Sequence, residues 1–178
     1  MPYFTGDIEQ DCLEMFSYLE ILPLFSSGNR MNLNKGVRPI SNVYGLTKWK
    51  RLGGNVGGDR TESNIKGFYN TKLKSLYPEF EDIFKEFTEL YIPHFTYQQI
   101  VINKNFMIEP HKDGKNVGVS NIIALGDFTG GELMLKDNGF NRKCNIQNKF
   151  KEFNGSLIEH WVLPFEGTRY SLVFYNIL

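Results

Sequence analysis

His111 and Asp113 are the residues whose types and spacing most directly suggest chemistry. On a β-strand, residues two positions apart point to the same face, so an imidazole nitrogen and a carboxylate oxygen would converge on one point. This pair suits a divalent transition metal. One further His would complete the two-His, one-carboxylate set that leaves coordination positions open on Fe(II). The sequence has only three histidines, so few candidates exist for the third ligand.

His160 is the candidate for that ligand because of the segment in which it stands. Ser156–Leu163 alternates in a way typical of a strand and ends before Pro164, which cannot continue a central strand. We expect a turn at Phe165–Gly167 and then a second strand at Thr168–Ile177. The alternation predicts one face of the second strand to carry Arg169, Ser171, Val173 and Tyr175.

Arg169 on such a strand needs an anionic partner. A guanidinium pairs with a carboxylate through two parallel hydrogen bonds, and an unpaired buried charge costs several kcal/mol. A dicarboxylate with one end on the metal and the other end on Arg169 would satisfy both sites.

The ordered set of His111-Lys112-Asp113, then His160, then Arg169-Tyr170-Ser171 resembles the metal and cosubstrate motifs of the Fe(II)/2-oxoglutarate-dependent oxygenases. The resemblance covers residues 97–178. It implies that His111, Asp113 and His160 bind Fe(II), and that Arg169 and Ser171 bind 2-oxoglutarate. Asn103 is a further candidate to hydrogen-bond this cosubstrate. The implied reaction is hydroxylation of a C–H bond with O2, with ascorbate as a reductant of the iron.

A narrower resemblance is carried by two strings, HKDGKNVGVSNIIALGDFTGGEL and FNGSLIEHWVLPFEGTRYSLVFY. They look like a group of small single-domain members from phages, viruses and protists. That group is similar to the TET and J-binding-protein oxygenases, which act on methylated pyrimidines in DNA. Repair dioxygenases of the AlkB type show a second Arg where this sequence has Tyr175, which argues against that subgroup.

Length and composition favour a single domain over residues 1–178. We expect residues 1–95 to form a helical support with a basic loop segment, and residues 96–178 to form the core that carries the metal. No apolar run approaches the ~18 residues that a membrane span needs. The two cysteines predict no disulfide framework. We therefore expect an intracellular monomer, located in the cytoplasm or, in a eukaryote, in the nucleus. A virus or phage could also encode this sequence.

Two amphipathic helices are predicted. The first, at Asp7–Leu22, has Cys12 and Met15 on its apolar side, and the second, at Glu79–Ile92, has Leu90 on its apolar side. Strands are expected at Thr96–Asn103, Gly118–Leu125 and Glu132–Leu135, with a turn at 126–131 and a surface hairpin at 136–149. The glycine- and asparagine-rich residues 26–38 are expected to form a loop. Roughly eight short strands after two helices, without a βαβ rhythm, predict a double-stranded β-helix, that is, a jelly roll of two facing sheets.

Charge is unevenly distributed along a chain whose formal net charge is zero. Arg30–Lys74 holds ten Lys and Arg against two acidic residues, which is ten minus two, or +8. Aromatic residues are interspersed with these basic residues, a pattern that suits a polyanion with stackable bases, although a solvated basic surface explains the charges equally simply. The candidate substrate residues in this segment are Lys48, Trp49, Lys50, Arg51, Gly53, Gly54 and Arg60.

Three functions remain open at the level of sequence. The first is an oxygenase acting on the 5-methyl group of a pyrimidine, 5-methylcytosine or thymine, in DNA. The second is a hydroxylase of a protein side chain or a small metabolite. The third is a jelly-roll binding module without turnover. This function is disfavoured because a degenerate site would have no reason to keep both the metal triad and the Arg169–Ser171 pair.

Overall fold

The computed structural model describes residues 2–26, 40–51 and 64–178. Within these ranges the chain forms three helices, α1 (Ile8–Ile21), α2 (Lys72–Leu76) and α3 (Phe80–Tyr91). It also forms eleven strands: β1 (Ile40–Arg51), β2 (Asn64–Asn70), β3 (Gln99–Lys104), β4 (Val117–Leu125), β5 (Phe128–Gly130), β6 (Leu133–Asp137), β7 (Phe140–Cys144), β8 (Lys151–Phe153), β9 (Glu159–Val162), β10 (Phe165–Gly167) and β11 (Tyr170–Asn176).

The strands form one large antiparallel sheet and two small ones. The large sheet has the order β2-β1-β3-β11-β4-β8, and the small sheets are β10-β5 and β7-β6-β9. A cluster of buried side chains, including Ile122, Leu133 and Phe153, joins the inner face of the large sheet to the strands opposite. The predicted double-stranded β-helix is therefore confirmed.

The outer face of the large sheet packs against the helices. Ile102, Leu172 and Phe174 of this face are fully buried, as are Met15 of α1 and Phe84 of α3, and all belong to one cluster. The helices thus cover one face of the sheet and leave the other face to the functional site.

The two predicted helices are confirmed with small shifts at their ends. Asp7 is the N-cap of α1, and its side chain accepts a hydrogen bond from the Gln10 N–H at 3.2 Å. Leu90, which the helical pattern assigns to the apolar side of α3, is instead 43% exposed. No helix of the described residues is long and apolar enough to cross a bilayer.

Three predictions about segments between the strands are wrong. The segment expected as a basic loop contains β1 and β2, which extend the large sheet at one edge. Phe165–Gly167 is strand β10 rather than a turn, and it pairs with β5, which lies inside the turn expected at 126–131. Three-residue strands are too short to show alternation, so sequence periodicity could not have found them. The predicted loop at 26–38 lies almost wholly outside the described residues.

Candidate metal centre

His111, Asp113 and His160 come together, and their ligand atoms all lie within 4.8 Å of one another. Asp113 Oδ1 is 3.4 Å from His111 Nε2, and Asp113 Oδ2 is 3.1 Å from His160 Nε2. His111 and His160 belong to neighbouring segments that exchange backbone hydrogen bonds of 3.1 and 3.0 Å. The sequence interpretation therefore selected three residues that are adjacent in the fold.

The two imidazole rings are oriented in the same way. His111 Nδ1 lies 2.9 Å from the carbonyl oxygen of Glu109, and His160 Nδ1 lies 2.9 Å from that of Ile158. A carbonyl oxygen only accepts, so Nδ1 carries a proton in each ring. In a neutral imidazole, Nε2 then presents a lone pair towards Asp113. A ring N–H bound to a carbonyl is the usual support for a metal-ligating His.

This geometry brings lone pairs of nitrogen and oxygen close to one another, and a positive charge between them is needed to offset their repulsion. Two Nε2 atoms and a carboxylate converge, and either a proton or a cation must separate them. Where protons on the two Nε2 atoms supply this charge, the opposing effect of burial is outweighed by hydrogen bonds and charge from His111 and His160, which hold the pKa of Asp113 well below its ordinary value. The donor set of two nitrogens and one carboxylate fits Fe(II) with open coordination positions.

Gly155 and Phe153 support the site, and the sequence interpretation missed both. The Asp113 N–H donates to the Gly155 carbonyl oxygen at 2.8 Å. A Cβ on residue 155 would lie 3.0 Å from Asp113 Oδ2 and 3.2 Å from His160 Cε1. The Phe153 ring packs edge-on against His160, with centroids 4.9 Å apart. These supports come from contacts across the fold, which motif spacing does not report.

The triad lies in the wall of a cavity of about 930 Å³ between the sheets. Asn103 and Ser171 also line it and stand opposite each other on β3 and β11. Asn103 Nδ2 donates to Ser171 Oγ at 3.2 Å, while the buried Asn103 Oδ1 has no hydrogen-bond partner among the described residues. A half-turn of this amide would let Ser171 donate to Oδ1 and would turn the NH2 group towards an anion.

Arg169 immediately precedes β11, two residues before Ser171, and its side chain is only 1% exposed. Its guanidinium carbon is 5.5 Å from the ring centroids of both Phe128 and Phe165, and Nη2 donates to the Gly131 carbonyl oxygen at 3.0 Å. Burial lowers the pKa of this guanidinium to about 10, against the opposing effect of Glu132.

No carboxylate of the described ranges lies within ion-pair distance of Arg169, and its Nε has no hydrogen-bond partner there. Arg169 is also not itself part of the cavity lining, although Ser171 is. A buried guanidinium in this state fits an anionic ligand, because pairing would offset the cost of its burial.

The candidate substrate residues are only partly placed. Lys48 lines the cavity, and the backbone of Trp49, Lys50 and Arg51 continues strand β1, paired with β2. The remaining candidates, Gly53, Gly54 and Arg60, lie outside the described residues.

Solved structures that share this fold include two named oxygenases and a further 2OG-Fe(II) oxygenase family protein. NgTET1 in complex with 5mC DNA is 16% identical with a TM-score of 0.57, covering 95% of this chain and 68% of that chain. A 2OG-Fe(II) oxygenase family protein from Burkholderia pseudomallei is 14% identical with a TM-score of 0.53, covering 98% and 82%. A Pseudomonas putida prolyl-4-hydroxylase is 12% identical with a TM-score of 0.51, covering 97% and 87%.

These likenesses establish the fold, a jelly roll shared with 2OG-Fe(II) oxygenases. No family model and no curated protein matches the sequence.

Proposed function

We propose that this chain is an Fe(II)- and 2-oxoglutarate-dependent oxygenase, folded as one domain over residues 1–178. His111, Asp113 and His160 hold the iron. Arg169, Ser171 and Asn103 hold the cosubstrate. The observation that carries the proposal is the convergence of two Nε2 lone pairs and a carboxylate within 4.8 Å in a cavity wall.

When bound, Fe(II) with 2-oxoglutarate and O2 supplies the oxidant: one oxygen atom enters the C–H bond of the substrate, and the other enters succinate as CO2 leaves. Asp113 stays ionised and offers the negative ligand, while His111 and His160 offer neutral nitrogens. Arg169 meets the far carboxylate of the cosubstrate, Asn103 donates to this carboxylate through its NH2 group, and Ser171 orients the Asn103 amide by donating to its Oδ1. Val101, Ile122 and Val173 line the cavity with apolar surface and limit the access of water. Ascorbate serves as an external reductant.

For the substrate we propose the 5-methyl group of a pyrimidine, 5-methylcytosine or thymine, in DNA. Support comes from the basic segment, whose Lys48 reaches the cavity, and from the fold shared with NgTET1, which was solved with 5mC DNA. Lys115 and Asn116 also line this cavity and add polar groups suited to a nucleotide. A base must leave the helical stack to be oxidised, so a cavity of this size is required.

A hydroxylase of protein side chains or small metabolites is the second candidate, supported by the fold shared with the Pseudomonas putida prolyl-4-hydroxylase. The two candidate functions differ in whether the protein binds DNA with an affinity that depends on salt. A DNA oxygenase binds DNA with an affinity that falls steeply as salt rises. A protein or metabolite hydroxylase has no such dependence.

Mass spectrometry of nucleosides tests the proposal. DNA containing 5-methylcytosine and DNA containing only thymine are each incubated with protein, Fe(II), 2-oxoglutarate and ascorbate, and succinate is followed in parallel. We expect a gain of about 16 Da on a pyrimidine, from one added oxygen, and no gain with Asp113→Ala. Succinate without a modified base would exclude these DNAs as substrates, and iron-independent or absent consumption of 2-oxoglutarate with every substrate class would refute the oxygenase.

A further inference from the structure

Strand β1 changes its pairing partner beside the cavity. Up to Gly45, which lies opposite Gln99, it pairs with β3, and from Leu46 onwards it pairs with β2. We call Leu46–Arg51 together with Asn64–Asn70 the β1–β2 ribbon. Thr47 and Lys48, just past the change of partner, line the cavity. The ribbon therefore contributes to the cavity wall at the point where it no longer pairs with β3.

Gln99 ties the ribbon to the cavity wall. Its Nε2 donates to the carbonyl oxygen of Leu46 at 2.5 Å, and its Oε1 accepts from the hydroxyl of Tyr175. The direction is fixed by chemistry: a carbonyl oxygen only accepts, so the amide nitrogen must face Leu46 and the amide oxygen must face Tyr175. Two hydrogen bonds thus cross from β11 through β3 to β1.

Other hydrogen bonds hold the ribbon at the same place in the chain, but the residues that make them do not line the cavity. Gly45 N–H donates to Thr71 Oγ1 at 3.1 Å, Thr71 N–H donates to the Gly45 carbonyl at 2.8 Å, and Leu46 N–H donates to the Gln98 carbonyl at 2.9 Å. Gln99 and Tyr175 are both cavity-lining and both buried. Gln99 is thus a cavity-lining side chain that is hydrogen-bonded directly to the backbone of the ribbon.

The ribbon is strongly basic. Its thirteen residues contain four Lys or Arg, namely Lys48, Lys50, Arg51 and Lys66, and no Asp or Glu. A basic sequence in a ribbon that contributes to the cavity wall suits a polyanion, which must be held while one of its groups enters.

We propose that Gln99 is a positioning residue for an anionic substrate. It acts through the Leu46 carbonyl: it holds the β1–β2 ribbon against the cavity wall, so that the basic strand binds the polyanion with its reacting group at the proposed metal site. Gln99 does not itself serve the metal or the cosubstrate. This proposal rests on the proposed function, from which it takes the reaction. It adds how the substrate is positioned for that reaction.

The test compares Gln99→Met, which keeps the side-chain length and loses both hydrogen bonds, with Gln147→Met. Gln147 is the matched control because its Nε2 also holds backbone carbonyls, of Gly126 and Phe128, but it does not line the cavity. We expect Gln99→Met to raise the KM for 5-methylcytosine DNA about tenfold, the effect of losing one or two net hydrogen bonds. The kcat at saturating DNA and the KM for 2-oxoglutarate stay at wild-type values. Gln147→Met leaves the KM for DNA unchanged.

Amide hydrogen exchange gives a second readout that does not need turnover. We expect faster exchange at Leu46–Lys50 in Gln99→Met and wild-type exchange there in Gln147→Met. Unchanged exchange would overturn the proposal, as would faster exchange with no change in the KM for DNA. A rise in the KM for 2-oxoglutarate equal to that for DNA would also overturn it, because Gln99 would then serve the cosubstrate.

If Gln99→Met does not fold, Tyr175→Phe replaces it. This variant removes the donor that orients Gln99 but leaves the bond to Leu46, so we expect a smaller change in the same direction, and wild-type behaviour would contradict the proposal. If the wild-type protein consumes no 2-oxoglutarate, the proposed function fails separately. DNA affinity by fluorescence anisotropy, with the same variants and the same expected tenfold loss, then decides the role of Gln99.

Discussion

At the scale of single residues, the site depends on backbone carbonyls as much as on its ligands. The carbonyls of Glu109 and Ile158 each lie two residues before a proposed His ligand and accept from its Nδ1, which leaves Nε2 available to a metal. Because these acceptors belong to the main chain, no motif records them. The same holds for Gly131, whose carbonyl accepts from Arg169.

Gly131 provides a sharp test of the role of Arg169. A Cβ on residue 131 would lie 2.8 Å from Arg169 Nε, and the backbone φ is +70°. We predict that Gly131→Ala displaces the guanidinium and raises the KM for 2-oxoglutarate by about tenfold or more, the scale of one charge-assisted hydrogen bond. The measurement is the dependence of succinate formation on 2-oxoglutarate concentration.

Gly139→Ala is the control for backbone strain. Its φ is +81°, but a Cβ there would meet nothing within 4 Å. Both variants lose comparable stability from the left-handed backbone, about 1 kcal/mol. Equal KM values for 2-oxoglutarate in the two variants would show that Arg169 does not bind the cosubstrate.

The sequence predicted the ligand set more completely than the residues around it. His111, Asp113, His160 and the inward face of β11 follow from spacing and alternation, because a strand fixes which residues share a face. Gln99 was missed because its role depends on a bond to Leu46, 53 residues earlier in the chain. Contacts of that span arise from strand order, and one sequence does not specify strand order.

At the scale of elements, α1 is fastened to the segment before it by one buried carboxylate. Asp11 accepts from the Thr5 N–H at 2.7 Å, the Thr5 hydroxyl at 2.8 Å, the Gly6 N–H at 2.9 Å and the Tyr91 hydroxyl. Burial opposes the charged form, but these donors outweigh it and lower the pKa of Asp11 below its ordinary value. The helix pattern identified Cys12 and Met15 as core but gave no reason to place an Asp beside them.

We predict that Asp11→Asn lowers the free energy of unfolding at pH 7 by about 1–3 kcal/mol, because the amide leaves buried donors without an acceptor. The folded-state pKa of Asp11 is depressed, so its stabilisation is present above the unfolded pKa of about 3.9 and is lost as pH falls through the folded pKa. The difference in Tm between wild type and variant should therefore shrink as pH falls below about 4.

Glu14→Gln is the matched control, since Glu14 lies on the exposed side of α1. It should leave the Tm near the wild-type value across the same pH range. A Tm difference for Asp11→Asn that grows as pH falls would contradict the assignment of a charged, hydrogen-bonded carboxylate.

At the scale of the whole molecule, the large sheet separates two environments. Helices and aromatic side chains fill its outer side, and the cavity with the candidate metal site occupies its inner side. Composition and element order predicted this architecture. They did not predict that β1 and β2 join the same sheet, because their Lys, Arg and Gly content is typical of a loop.

The position of the basic ribbon on that sheet gives a prediction for the whole molecule. Replacing Lys48, Lys50 and Arg51 together with Ala should weaken DNA binding and reduce the slope of log K against log salt by up to about 2.7, roughly 0.9 for each phosphate contact. Fluorescence anisotropy over a range of salt concentrations measures both quantities.

A second triple variant controls for net charge. Lys136, Arg142 and Lys143 are exposed on the β6–β7 pair, and replacing them with Ala removes the same charge from another surface. We expect it to leave the slope largely unchanged. Equal effects of the two triple variants would indicate that DNA responds to overall charge and not to the ribbon.

The central claim is that one site binds a divalent metal and 2-oxoglutarate together, and titration calorimetry without O2 tests it most directly. We predict that 2-oxoglutarate binds the wild-type protein only when Mn(II), a redox-stable stand-in for Fe(II), is present. Asp113→Ala should abolish this binding, and Arg169→Met should weaken it about 10- to 100-fold, as expected for charge-assisted hydrogen bonds. Failure of 2-oxoglutarate to bind the Mn(II)-loaded wild type, or equal binding by all three proteins, would contradict the account.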